Sequence, residues 1–287
     1  MKKNGHSMKY LIVSGDSNTD PYFGSITHPD WRGFQHHPDI DFSYKKWPEL
    51  LAEKLGMKCI NMAKCGQGNE YIYSTIRDEI AKIEDKSQIG LVIAAWSQAT
   101  RKDYKQLLNA YSGEDKLGKP KLGSANAWRD VTVNTHGNLP GWVQKSLGHY
   151  LDFQILCERY NLPYVQFQMI ELYEHYINGL WPSQSDIHFG ADPNVHSKYP
   201  GNKTKDEASI LKSILEYEAK LDTSKFMGWP PVQQLGGWRF RDQLDFFDNS
   251  KSKLRVSELD NHPNGLGHIA MCDKINILLK EYKILKE

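Results

Sequence analysis

The 287-residue chain carries 36 Lys and Arg against 35 Asp and Glu, a net charge of +1. A chain of that length buries about 75% of its extended surface without disulfide or metal staples. So even a charge balance excludes the basic face of a dedicated nucleic-acid binder, and no apolar run approaches the roughly 18–20 residues that span a bilayer.

Met1–Ser7 is polar and lacks an apolar stretch with a cleavage site, so it reads as a disordered tail or an added stretch before a natural start at Met8. A cytoplasmic location follows as an expectation. Cys59, Cys65, Cys157 and Cys272 are too sparse for a disulfide framework and lack zinc-site spacing, so they are expected to be free thiols. The 8 Trp and 15 Tyr point first to a large aromatic core and second to platforms that stack on sugar rings.

Lys9–Ser14 is a short apolar run ending at Gly15, the pattern of a strand buried on both faces. Trp47–Leu55 has helical spacing and a Gly56 stop, and Lys58–Met62 is a second apolar run. Asn69–Ile83 predicts a helix with an isoleucine stripe at Ile72, Ile76, Ile80 and Ile83, with Asn69 as its cap. Ile89–Trp96 is a third strand, Trp142–Tyr160 a long helix, and Leu162–Met169 a fourth strand. Glu207–Leu221 and Gly267–Tyr282 complete the helices. Strands alternating with helices imply a mainly parallel sheet covered on both sides, an α/β/α sandwich.

Two long polar connections, Ala99–Pro140 and Glu171–Lys203, follow the carboxyl ends of predicted strands, the edge at which open parallel sheets build their sites. They are expected to be lids, substrate walls or plain insertions. Phe226–Trp238 is aromatic and turn-rich, and is read as a packed loop in preference to a docking surface.

Gly15-Asp16-Ser17-Asn18 closes the first strand. A serine on a tight turn at the sheet edge has the exposure and fixed direction that a nucleophile needs, although these four types are also ordinary turn formers. Near the other end, Asp260-Asn261-His262-Pro263-Asn264 precedes the last helix. His262 is placed there as a general base with Asp260 to fix its tautomer, or else the pentapeptide is only a helix cap. His36, His37, His136, His149, His175, His188 and His196 are scattered without ligand spacing, so no metal is expected. Lys116, Lys119 and Lys121 read as a solvated loop, and Gly66-Gln67-Gly68 lacks the rest of a phosphate-binding pattern.

With these residues in view the chain resembles the SGNH (GDSL-type) hydrolase family, in four short blocks spread over most of its length. Gly15-Asp16-Ser17-Asn18 is similar to the first block and Asn61-Met62-Ala63-Lys64-Cys65-Gly66 to the second, while Asp260, His262, Pro263, Asn264, Gly267 and His268 resemble the last. The resemblance implies a three-layer α/β/α sandwich with a flavodoxin-like sheet, one domain over residues 8–287 with insertions at about 99–140 and 171–205, and no cofactor. It implies Ser17 as nucleophile, His262 as base, Asp260 as orienter, and an oxyanion hole from Ser17 N–H, Gly66 N–H and a third donor. The third block departs from the family's Gly-x-Asn-Asp: here it is Ala95-Trp96-Ser97-Gln98. The Ser97 hydroxyl falls on the Asn position, with Gln98 or Asn69 as alternatives. Asp-x-x-His is shortened to Asp-x-His.

The implied activity is a serine esterase, foremost one that removes O-acyl (O-acetyl) groups from a small-molecule or polysaccharide substrate. A lipid ester or thioester hydrolase is the alternative within the enzyme class. Outside it stands a sugar- or protein-binding component with a weakened site.

Overall fold

The computed structural model describes residues 8–23, 43–101, 103, 137–178, 199, 201–247, 253–257 and 260–285. Five parallel strands, β1 (Tyr10–Ser14), β2 (Lys58–Asn61), β3 (Ile89–Trp96), β4 (Tyr164–Gln168) and β5 (Phe226–Met227), pair in the order β2-β1-β3-β4-β5. That is the flavodoxin-like order, in which the sheet reverses direction of growth between β1 and β3.

Successive side chains of a strand face opposite ways, and the central strands β1 and β3 bury apolar residues on both faces. Ile12, Val92, Ala94 and Trp96 enter one cluster with α2 (Asn69–Lys82), α3 (Leu139–Arg159) and α5 (Lys203–Glu218). Leu11, Val13, Leu91, Ile93, Ala95, Val165 and Phe167 enter the other with α1 (Trp47–Leu55) and α7 (Gly265–Glu281). The result is the expected three-layer sandwich. On α2 the stripe Ile72, Ile76 and Ile80 is fully buried, each side chain stabilising the fold by about 1.5–3 kcal/mol over its exposed state. Short helices α4 (Glu174–Ile177) and α6 (Gln243–Phe247) lie in connections.

The aromatics of the described residues are mostly core: Trp47, Trp96, Tyr150, Phe153, Phe167 and Phe240 are fully buried. Loop 226–238 is packed as expected, since Phe226, Met227 and Val232 are buried and a Cβ on Gly237 would lie within 1.5 Å of the Pro230 carbonyl oxygen. All four cysteines are free thiols. Among the described residues no helix is long and apolar enough to cross a membrane, and no His, Cys, Asp and Glu cluster could hold a metal. Most of both long connections, with His36, His37, His136, His188, His196, Lys116, Lys119 and Lys121, lies outside the described residues.

Several boundaries differ from expectation for local reasons. α3 starts at Leu139, where Asn138 caps by accepting from Gly141 N, and Pro140 sits in the first turn, where its missing N–H costs nothing. α5 starts at Lys203 behind Asn202, whose side chain accepts from Lys205 N. Asn69 does not cap α2. The cap position is Gly68, and the Asn69 amide turns instead to the end of β3.

His268 is buried on α7, and its Nδ1 accepts from Trp47 N at 3.2 Å, a bond only the unprotonated nitrogen can make. Burial first, then the charges of Lys46 and His262, hold its pKa well below the ordinary 6.5. The unfolded chain therefore takes up a proton below 6.5 that the folded chain refuses, so stability falls as pH drops through that range, by up to about 1.4 kcal/mol per pH unit. Lys46, lowered by burial from 10.5 to about 8, changes protonation only above this window. Denaturation of wild type and His268→Asn between pH 7 and 5 checks it. The variant should show a shallower loss, and equal slopes contradict the assignment.

Candidate active site

Ser17 and Gly66 follow the carboxyl ends of β1 and β2, and His262 comes from the loop before α7. β1 ends at Ser14, and the chain folds back at once, with Thr19 N and Asp20 N both donating to Asp16 O. The buried Asp16 Oδ1 accepts from Asn18 N and Asn18 Nδ2, each at 3.0 Å, which fixes the turn on which Ser17 stands. Gly15 allows it: a Cβ there would come within 2.6 Å of Thr19 Oγ1.

Beyond β2 the chain is stitched to this turn. Met62 N donates to Val13 O, Lys64 N to Gly15 O and Asn61 Nδ2 to Thr19 O, while Cys65 N donates to Asp20 Oδ2 at 2.7 Å. Gly66 follows with φ 77°, the left-handed region that suits glycine. The amide N–H groups of Ser17 and Gly66 have no acceptor among the described residues. Two uncommitted donors, one on the serine itself and one on the loop bonded to its turn, are the kind of group a developing oxyanion needs.

The imidazole comes from the far end of the chain. Ser17 Oγ lies 2.8 Å from His262 Nε2 across 245 positions of sequence. His262 Nδ1 lies 2.5 Å from Asp260 Oδ1, which also accepts from His262 N at 3.0 Å. A carboxylate on Nδ1 keeps the proton there and leaves Nε2 free to accept from the serine.

In the third block Ser97, the expected third donor, is held from two sides. Ser97 Oγ is fully buried, donates to Asp16 Oδ2 at 3.2 Å and accepts from Arg101 Nη1 at 2.9 Å. A hydroxyl has one proton, and this one is committed to Asp16. Asn69 is committed too: Nδ2 donates to Ser97 O and Ser146 Oγ, and Oδ1 accepts from Ser97 N. Gln98, half-buried, faces a pocket with Thr100, Glu171, Leu172, Tyr173, His175 and Tyr176.

No family model matches the chain, and no curated protein does. Solved structures resemble it at low identity. TesA is 11% identical over 96% of this chain and 99% of its own, with a TM-score of 0.45. The psychrotrophic esterase EstA from Pseudoalteromonas sp. is 12% identical over 96% and 98%, with a TM-score of 0.43. The acetyl xylan esterase Est2A from the rumen bacterium Butyrivibrio proteoclasticus is 11% identical over 96% and 65%, with a TM-score of 0.44. The geometry of the described side chains, rather than likeness at this level, carries the chemistry that follows.

Sequence reasoning missed the residues that hold the histidine. Phe23 is buried with its ring centroid 4.2 Å from that of His262. Arg255 Nη1 donates to Asn261 O at 2.6 Å, and its guanidinium pairs with Asp245 on α6. Asn264 caps α7 through Gly267 N and donates from Nδ2 to Lys253 O and Arg255 O, while Val256 N donates to His262 O. Strand-like pairing of 253–257 with 260–264 thus fixes the loop. The Asn264 cap was a readable signal; Phe23 and Arg255 act through contacts that no local pattern marks.

Proposed function

We propose that this chain is an SGNH-type serine esterase, a single domain over residues 8–287 in which Ser17 is the nucleophile, His262 the general base and Asp260 its orienter. The observation that carries the reading is the unbroken line Ser17 Oγ–His262 Nε2 at 2.8 Å and His262 Nδ1–Asp260 Oδ1 at 2.5 Å, and the uncommitted N–H groups of Ser17 and Gly66 support it. His262 takes the serine proton as Ser17 Oγ forms its bond to the ester carbonyl carbon. Ser17 N–H and Gly66 N–H hold the oxyanion. The tetrahedral adduct collapses, the C–O bond to the alcohol breaks, and His262 returns the proton to the departing oxygen. Water, deprotonated by His262, then releases the acyl group and restores Ser17.

A short acyl group on a carbohydrate is the substrate class we favour. Tyr22, 56% exposed, offers a ring one residue from the Phe23 that covers His262. A lipid ester is the second reading, favoured by Leu266, 55% exposed four residues beyond His262. A substrate series separates them. The first reading expects kcat/KM for p-nitrophenyl acetate at least about tenfold above that for the palmitate ester, with acetate released from acetylated xylan. Preference for the long chain replaces carbohydrate with lipid. Hydrolysis of no ester at all returns the chain to the binding-module reading.

A further inference from the structure

Arg101 stands just past the end of β3, and a single one of its nitrogens spans the site. Nη1 lies 2.9 Å from Ser97 Oγ, 3.3 Å from Gln67 O and 3.4 Å from Asp16 Oδ2. Asp16 immediately precedes Ser17 and Gln67 immediately follows Gly66, so this cation ties together the flanks of both uncommitted N–H donors. Asp16 is fully buried and the Arg101 side chain only 23% exposed, which limits screening of the charge. The chain is shaped for this approach. A Cβ on Gly68 would come within 2.6 Å of Arg101 O, and Asp103 Oδ1 and Oδ2 accept from Gly68 N and Tyr71 N at 2.9 and 2.8 Å. Arg101 therefore bridges the Gly66 loop to the Ser17 turn, while Asp103 holds the Gly68–Tyr71 segment that follows the loop.

We propose that Arg101 is a positioning residue of the oxyanion-binding loop. It holds Ser17 N–H and Gly66 N–H at a fixed separation and places a positive charge beside them, the part that Ser97, its proton given to Asp16, does not play. The inference rests on the serine-esterase reading above. Because three acceptors gather at one nitrogen, a lysine ammonium with its three hydrogens can replace part of the interaction, whereas an apolar chain of similar length cannot.

The test is kcat and KM for p-nitrophenyl acetate in wild type, Arg101→Met, Arg101→Lys and Ser17→Ala, with a thermal melt of each. Arg101→Met should lower kcat by roughly thirtyfold or more with KM within about threefold, and Arg101→Lys should recover about tenfold of that loss. If Arg101→Met does not fold, Arg101→Gln against Arg101→Lys takes its place: Lys should exceed Gln by a similar factor. Equal rates in the Lys and the Met or Gln variants mean that Arg101 acts by packing alone, and the proposal is overturned. It is also overturned if Arg101→Met keeps kcat within about threefold while Ser17→Ala is dead, a result that leaves the esterase reading intact. Wild-type turnover unaffected by Ser17→Ala, or none at all, removes the esterase reading itself, and this inference with it.

Discussion

Ser17→Ala should lower kcat for any accepted ester by at least about 10⁴-fold, the cost of removing a nucleophile that acts as one unit with its base. The loss belongs to chemistry and not to folding. Ser17 is 6% exposed and its hydroxyl is bonded to His262 alone among the described residues, so no packed layer depends on it. The turn beneath it is held by Asp16, Asn18 and the backbone, which the substitution leaves in place. KM should change little, and the melting temperature should stay within about 2 °C, a shift expected when a single hydroxyl is removed without leaving a buried charge unpaired. A fall in activity with a matching fall in stability would assign the serine a structural role instead.

Asp260→Asn is the second large effect, and it separates orientation from mere contact. Asp260 Oδ1 accepts from both His262 Nδ1–H and His262 N, so the ring is aimed and its tautomer chosen by one oxygen. An asparagine that presents its amide nitrogen reverses the choice, putting the imidazole proton on Nε2, where it faces Ser17 Oγ and blocks proton transfer. One that presents its oxygen keeps the tautomer but loses the negative charge that stabilises the imidazolium. Either way kcat should drop on the order of 10²–10⁴-fold with KM nearly unchanged. Steady-state kinetics beside a melt check it; a variant with wild-type kcat would reduce Asp260 to a loop-capping role, alongside its N–H bond to Ser257 Oγ.

How far the sequence could be read depends on where each signal resides. Four strands were legible because they are short apolar runs between breakers, a property of the residues themselves; β3 matches residue for residue at Ile89–Trp96. The two-residue β5, Phe226–Met227, was not, because two positions carry no period and their pairing with Gln166 and Phe167 is a tertiary event. Ser17, His262 and Asp260 could be named because each stands at an element boundary inside a short block that resembles the SGNH family, although each block alone also reads as a turn or a helix cap. That they meet is a tertiary property: β1 sets the Ser17 turn, and Arg255, Asn264 and the bonds to 253–257 set the His262 loop against it. Asn69 shows the opposite case. A local rule makes an asparagine at a helix start a cap, yet its amide gains three bonds at Ser97 and Ser146, and the tertiary partners prevail. Ser97 likewise occupies the position expected for an oxyanion donor, but its hydroxyl donates to the buried carboxylate of Asp16, just past the end of the neighbouring strand β1. Arg101 was invisible as a site residue, since it follows a loop with no motif and its meaning lies entirely in Asp16, Gln67 and Ser97 gathering at one nitrogen.

On the proposed reading, Ser17 Oγ is an activated nucleophile that a substrate can reach. The most direct test is covalent: treat the full chain with a fluorophosphonate, digest it, and locate the adduct by mass spectrometry. One phosphonyl group on the peptide containing Ser17, absent after His262→Ala, is the result this account predicts; an unmodified Ser17 peptide in the treated wild type would contradict it.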